Sequence, residues 1–325
     1  MKSLTLILLL VGVAGSSFAQ ESSTGGFGEQ VSVSYVMVPF TALGPQGIPI
    51  KNLRMRDVSL LVDGRKVAID MFEASMNAPV SWTILVDASG SMGLAGKMDA
   101  ARSIVGTLLA HRKKGDDFAL YSFDARGRAN VLVPFTEDPT GIMRELERIE
   151  PWGKTAFFDA LSEMPEYSEL GRNPSRAIIL LSDGIDNASQ MTRTDVERKL
   201  EGVAVPIYSF ALREPAEQNI SAPSEELSNI DLLEELASIT GGMLLVGTQP
   251  QQLSQAMYGI EQVLRAQYLI GFPPTGRGAV KYRRISLELP GRARTVQVRA
   301  GYRGTEPPTQ PSRSRQKRNE RKTNS

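Results

Sequence analysis

Thr83-Ile84-Leu85-Val86-Asp87-Ala88-Ser89-Gly90-Ser91 decides how the rest of the chain is read. Its first four residues form a short, largely apolar run, of the kind that suits a strand buried on both faces. The run leads straight into a carboxylate, Asp87, followed by two hydroxyls at alternate positions, Ser89 and Ser91. Gly90 between them permits a tight turn. Such a turn can wrap oxygen atoms around a hard cation, because Mg²⁺ takes oxygen ligands in octahedral geometry and keeps several waters.

Outward from this stretch the same kind of run returns at Phe118–Phe123 (FALYSF), Ile178–Leu181 (IILL) and Ile207–Phe210 (IYSF). Amphipathic stretches lie between and beyond them. Met98, Ala101, Val105 and Leu108 share one helical face, and Leu253, Met257, Ile260 and Leu264 share another. A further helix spans Leu232 to Ile239, with Gly241-Gly242 after it as a stop. Strands alternating with helices imply βαβ units and an α/β domain with a mainly parallel sheet.

The flanks read differently. From Val31 to Phe72 the pattern is extended: Val31, Val33, Tyr35 and Met37-Val38 come first. Leu60-Leu61-Val62 then runs into Asp63-Gly64, a favoured hairpin dipeptide, and Val67–Met71 resumes. After Arg265 the runs Tyr268–Phe272, Ile285–Leu289 and Val296–Val298 are separated by Pro- and Gly-rich turns. From Arg303 onward apolar residues almost vanish. The basic end (Arg303, Arg313, Arg315, Lys317, Arg318, Arg321, Lys322) is expected to be a solvated, disordered tail covering 303–325.

Composition removes several kinds of chemistry. Hydrophobic residues make up 41% and charged residues 22%, and the formal net charge is +1. That charge gives no general pull towards nucleic acid or an anionic membrane. There is no cysteine, and His111 is the single histidine. Disulfides, thiolate metal sites and thiol nucleophiles are therefore out, and a histidine-based triad would depend on one residue. At the N-terminus Lys2, the apolar run Leu4–Val13 and Ser17-Phe18-Ala19 read as an export signal (1–19) cleaved after Ala19. The run is too short for a membrane span. Residues 20–28 read as a flexible lead, and the mature protein is expected to be exported, periplasmic or extracellular.

Two further segments join the opening one. Gly153-Lys154-Thr155 precedes the apolar helix start Ala156–Leu161, and Ile178–Leu181 runs into Ser182-Asp183-Gly184. In order and spacing, the three segments resemble the metal-ion-dependent adhesion site of the von Willebrand factor type A family. The resemblance covers about Ser81 to Arg265, including Gly115–Phe123 as the family's second strand and its approach. It implies a doubly wound, Rossmann-like fold in which the first and fourth strands are neighbours. Ligand sites lie at such a switch point, outside the carboxyl ends of the strands. It also implies that Asp87, Ser89, Ser91, Thr155 and Asp183 hold Mg²⁺ or Mn²⁺. The metal then keeps a position for an Asp or Glu of a partner protein. Thr155 is implied to move onto the metal when that carboxylate docks, and its separate loop leaves it free to shift independently. The flanks resemble exported bacterial relatives, through Asp63-Gly64-Arg65-Lys66-Val67 and Tyr268–Pro274. These motifs imply that residues 29–78 and 266–302 pair into one β-sandwich-like domain, with the α/β domain, 79–265, inserted between them.

Plainer readings accompany the other candidates. Asp186-Asn187 fits a capping turn better than the rim of a metal site. His111, beside Arg112, Lys113 and Lys114, suits the negative end of a helix. Trp82 reads as packing, as does Trp152, which could instead line a binding face. Three functions remain: a metal-dependent protein-binding module, a structural component of envelope assembly, and a hydrolase using Ser89 or Ser91. The last lacks a nearby general base. The chain is expected not to be an enzyme.

Overall fold

The computed structural model describes residues 35–201, 203–212, 224–247, 249–274 and 280–304. The export signal, the flexible lead and the basic end beyond 304 lie outside them.

The apolar runs become the strands of a six-stranded sheet: β5 (Val80–Asp87), β6 (Asp117–Phe123), β7 (Asn130–Thr136), β8 (Ser175–Ser182), β9 (Ile207–Leu212) and β10 (Met243–Gly247). Their order is β10-β9-β8-β5-β6-β7, and only β7 runs antiparallel to its neighbour. Every residue of β5, β6 and β9 is buried, as strands covered on both faces require. Alternation splits them between two cores. Val80, Trp82, Ile84 and Val86 pack with α1 (Lys97–Ala110), α2 (Thr140–Glu147) and α6 (Pro250–Leu264). Leu85, Tyr121 and Phe123 pack with α3 (Phe157–Ser168), α4 (Arg193–Leu200) and α5 (Ser224–Thr240) on the other face. The domain is thus doubly wound. Within it the first strand, β5, lies beside the fourth, β8.

The flanks supply the remaining eight strands among the described residues. One sheet has the order β13-β1-β11-β4, from β13 (Thr295–Val298), β1 (Val36–Leu43), β11 (Ala266–Phe272) and β4 (Met71–Met76). The other runs β14-β12-β2-β3, from β14 (Gly301–Gly304), β12 (Lys281–Glu288), β2 (Ser59–Val62) and β3 (Arg65–Val67). Each sheet interleaves strands from both sides of the α/β domain, with Val38 opposite Ile270 and Leu60 opposite Leu287 as registers. The two sheets share one core, in which the Tyr268 ring lies 5.3 Å from Phe40 and 5.5 Å from Phe72. Asp63 (φ 50°) and Gly64 (φ 75°) make the two-residue β2–β3 turn, the left-handed pair that matches strand twist. The extended pattern read across 67–71 is two strands in different sheets. Arg303, assigned to the tail by composition, instead sits in β14 opposite Tyr282 and pairs with Glu201.

The chain enters and leaves the α/β domain at one point. Arg265, at the end of α6, is buried. It donates to both carboxylate oxygens of Asp116 (3.1 and 2.6 Å), to Glu261 (2.8 Å) and to the Ala78 carbonyl (3.1 Å). Asp116 in turn accepts from Val80 N at 2.9 Å, and the Asn77 amide donates to the Arg265 carbonyl at 2.8 Å. One guanidinium therefore fastens both crossings.

Candidate metal centre

Asp87 is the last residue of β5 and Asp183 follows the last residue of β8. Parallel pairing of Val86 with Leu181 brings these two strand ends side by side at the switch point. The register sets Ser182 against Asp87, and its hydroxyl donates to Asp87 Oδ2 at 2.8 Å. Asp87 Oδ1 accepts from the Ser89 amide at 2.9 Å, which bends the chain back over the strand end. The hydroxyls of Ser89 and Ser91 then lie 3.1 Å apart. Gly184, at φ 79°, turns the chain after Asp183, and any Cβ there would press on Leu233 and the Asn229 carbonyl. That is the physical need behind the glycine of Ser182-Asp183-Gly184.

The Thr155 segment is bonded to both loops. Gly90 N donates to the Gly153 carbonyl at 3.0 Å, and Trp152 N to the Ala88 carbonyl at 2.9 Å. On the other side Thr155 N donates to Asn187 Oδ1 at 2.8 Å, and the Thr155 carbonyl accepts from Asn187 N and Ala188 N. Asp186 Oδ1 accepts from Phe157 N at 2.8 Å and caps α3, whose own N-cap, Ala156, has no side chain to do so. Asp186-Asn187 is thus a capping turn. The same bonds tie the Thr155 main chain to residues 187–188, a link that its separate place in the sequence did not reveal.

Two carboxylates and one ammonium meet at this site. Asp87 is fully buried, and its carboxyl is pushed up to about 6, chiefly by burial and further by Asp183; bonds from Ser89 and Ser182 pull the other way. Asp183 lies beside a positive charge that sequence reasoning missed. Lys97 Nζ sits 3.0 Å from Asp183 Oδ2, and the two side chains are only 9% and 6% exposed. Nothing in the sequence marked this lysine, because a lysine at a helix start reads as a surface residue. Among the described residues no three His, Cys, Asp or Glu side chains gather so as to hold a metal. A cation here would rest on two carboxylates and on hydroxyls, a donor set that fits a hard ion such as Mg²⁺.

His111 caps the far end of α1, about 20 Å along the helix from Lys97, with Nδ1 on the Thr107 carbonyl and its ring against Tyr258. It cannot serve Ser89 or Ser91 as a base. Trp82 is fully buried, whereas Trp152, bonded beside Ala88, is 83% exposed.

Residues 83–185 match the family model of the von Willebrand factor type A domain. That stretch of the chain is similar to a von Willebrand factor type A domain. The match begins in β5 and ends just past Asp183, so it spans all five residues of the proposed adhesion site. No curated protein matches the chain in sequence. Among solved structures it resembles a von Willebrand factor type A protein from Catenulispora acidiphila. That likeness covers 85% of this chain and 74% of the other, at 14% identity and a TM-score of 0.47. It also resembles the von Willebrand factor domain of the type V pili tip protein Mfa5 from Porphyromonas gingivalis. There 63% of this chain and 99% of that domain are covered, at 14% identity and a TM-score of 0.46. A third likeness is to proximal thread matrix protein 1 from the mussel byssus, whose adhesion-site motif holds zinc. It covers 57% of this chain and 48% of that protein, at 19% identity and a TM-score of 0.41.

Proposed function

We propose that this protein is an exported, metal-dependent binding module, in the periplasm or outside the cell, that captures an acidic side chain of a partner protein. The observation that carries the reading is the meeting of Asp87 and Asp183 at the switch point of the von Willebrand factor type A sheet. The Ser89 and Ser91 hydroxyls fold back onto the same strand end. Domains of this family are in general interaction modules rather than enzymes. A divalent ion, Mg²⁺ or Mn²⁺, would supply an electrophilic position for an outside carboxylate.

The chain's own residues do the rest. Asp87, Ser89, Ser91, Thr155 and Asp183 would hold the ion, and hydroxyls among its ligands leave it more electrophilic than a fully anionic shell would. Asn187 fixes the Thr155 main chain, and Trp152 stands exposed on the same loop, where a docked partner would cover it. Large exposed aromatics near the centre of an interface often carry much of its affinity. Export rests on the N-terminal run from Lys2 to Ala19, and sequencing of the mature N-terminus should begin at Gln20.

Capture from envelope extract, with and without EDTA, tests the reading. A partner should be retained in Mg²⁺ and released by EDTA. Thr155→Ala should keep most metal affinity and lose partner affinity about tenfold or more. Retention of the partner in EDTA, undiminished in Thr155→Ala, would move the binding surface to the sandwich and favour an assembly role. Zinc, the ion in the mussel protein's motif, belongs in the same comparison as a third metal.

A further inference from the structure

Lys97 is hard to explain as a helix residue. It is the first residue of α1, after Gly96, which makes no side-chain cap. A cation there faces the positive end of the helix dipole. Lysines at such positions ordinarily run their ammonium out to water. This one turns inward, where the residue is 8% exposed, and its ammonium engages Asp183 Oδ2 at 3.0 Å. Burying an ammonium is costly unless it is paired, and Asp183 is its one salt-bridge partner among the described residues. The other Asp183 oxygen is 3.4 Å from the Ile185 amide. The fold thus holds a positive charge on a carboxylate that the adhesion site would use for a metal.

We propose that Lys97 is a tethered counter-cation of the adhesion site, holding Asp183 when no metal is bound and opposing the divalent ion when one arrives. The proposal rests on the metal-binding reading above. With Asp87 and Asp183 ionised, the site carries two negative charges, and Lys97 reduces the net to one. A second positive charge a few ångströms from a divalent ion, in partly buried surroundings, is strongly repulsive. Metal entry is then an exchange: the ammonium gives up Asp183 Oδ2, or stays and weakens the ion's hold. Either way Lys97 lowers metal affinity, so that occupancy follows the surrounding concentration of divalent ions. It also leaves the metal-free domain with one uncompensated carboxylate rather than two.

The test is a Mn²⁺ titration of the full chain, with free Mn²⁺ read by electron paramagnetic resonance, on wild type, Lys97→Met and Lys97→Arg. The melting temperature of each is measured in EDTA and in Mn²⁺. Lys97→Met keeps the length and removes the charge. It should bind Mn²⁺ at least about tenfold more tightly, melt lower in EDTA and gain more from Mn²⁺ than wild type does. Lys97→Arg keeps the charge and should stay within a few-fold of wild type. If Lys97→Met does not fold, Lys97→Gln takes its place, with the same expectations. Wild type that binds Mn²⁺ while the neutral variants bind it no better would overturn the role of Lys97 and leave the metal reading standing. Absence of binding in every protein would bring down the metal reading, and the proposal with it.

Discussion

At Asp87 burial and function pull in opposite directions. Burial and the nearby Asp183 raise its carboxyl to about 6, above the ordinary carboxylate range, so the metal-free folded chain binds a proton more readily than the unfolded one. Stability from this group is therefore fully present below about pH 4 and is lost as pH rises through about 6, a swing of about 3 kcal/mol at most. Melting in EDTA should accordingly show this contribution weakening between pH 4 and pH 7, and Asp87→Asn should flatten it. Metal affinity should run the other way and fall as pH drops below about 6, because proton and ion compete for the same oxygens. A metal affinity unchanged between pH 7 and pH 5 would count against Asp87 as a ligand. Asn187 belongs to the same scale. Asn187→Ala leaves the Thr155 amide without its partner, a cost of about 1–3 kcal/mol, and should weaken partner capture more than it weakens metal binding. The motif made the five candidate ligands legible by their order in the chain. Lys97, Ser182 and Asn187 were not legible in those roles, because each acts on a residue 86, 95 or 32 positions away.

Among elements, the strands whose every residue is buried announced themselves, and the edges did not. β7 carries Pro134 and has no buried residue, with an irregular register on β6. An edge tolerates proline and one-sided packing, so neither the apolar run nor the alternation is clear. α4 is short and polar apart from Val196 and Leu200, and only its Thr192–Asp195 capping box marks it. The connection between domains was legible as a composition change near Arg265, but its fastening was not. That fastening makes a sharp expectation. Arg265→Met leaves the Asp116 carboxylate buried without its counter-charge and should cost about 3–5 kcal/mol in urea unfolding. Adding Asp116→Asn should recover part of that loss. Two fully additive losses would mean that the pair is not coupled.

For the whole molecule, the sequence already suggested an α/β domain interrupting a β-rich one, because extended patterning occurs on both sides of the helical stretch. What it did not carry was the division of strands between the two sheets. β2, β3 and β4 follow one another within 18 residues, yet the chain changes sheet between β3 and β4. Tertiary pairing with the distant β11 and β12 decides that. Tyr268 joins the two flanks: its hydroxyl donates to the Ile50 carbonyl and accepts from Leu53 N while its ring packs on Phe40 and Phe72. Tyr268→Ala should cost about 3–5 kcal/mol and leave metal affinity unchanged, since the sandwich core is separate from the two cores that hold the adhesion site. The most direct test of that site is calorimetric titration of Mg²⁺, then Mn²⁺, into wild type and Asp87→Ala, with circular dichroism confirming that the variant folds. One ion should bind per wild-type chain, and binding should vanish in Asp87→Ala with the dichroism unchanged. Identical isotherms in the two proteins, or no binding of either ion to wild type, would contradict it.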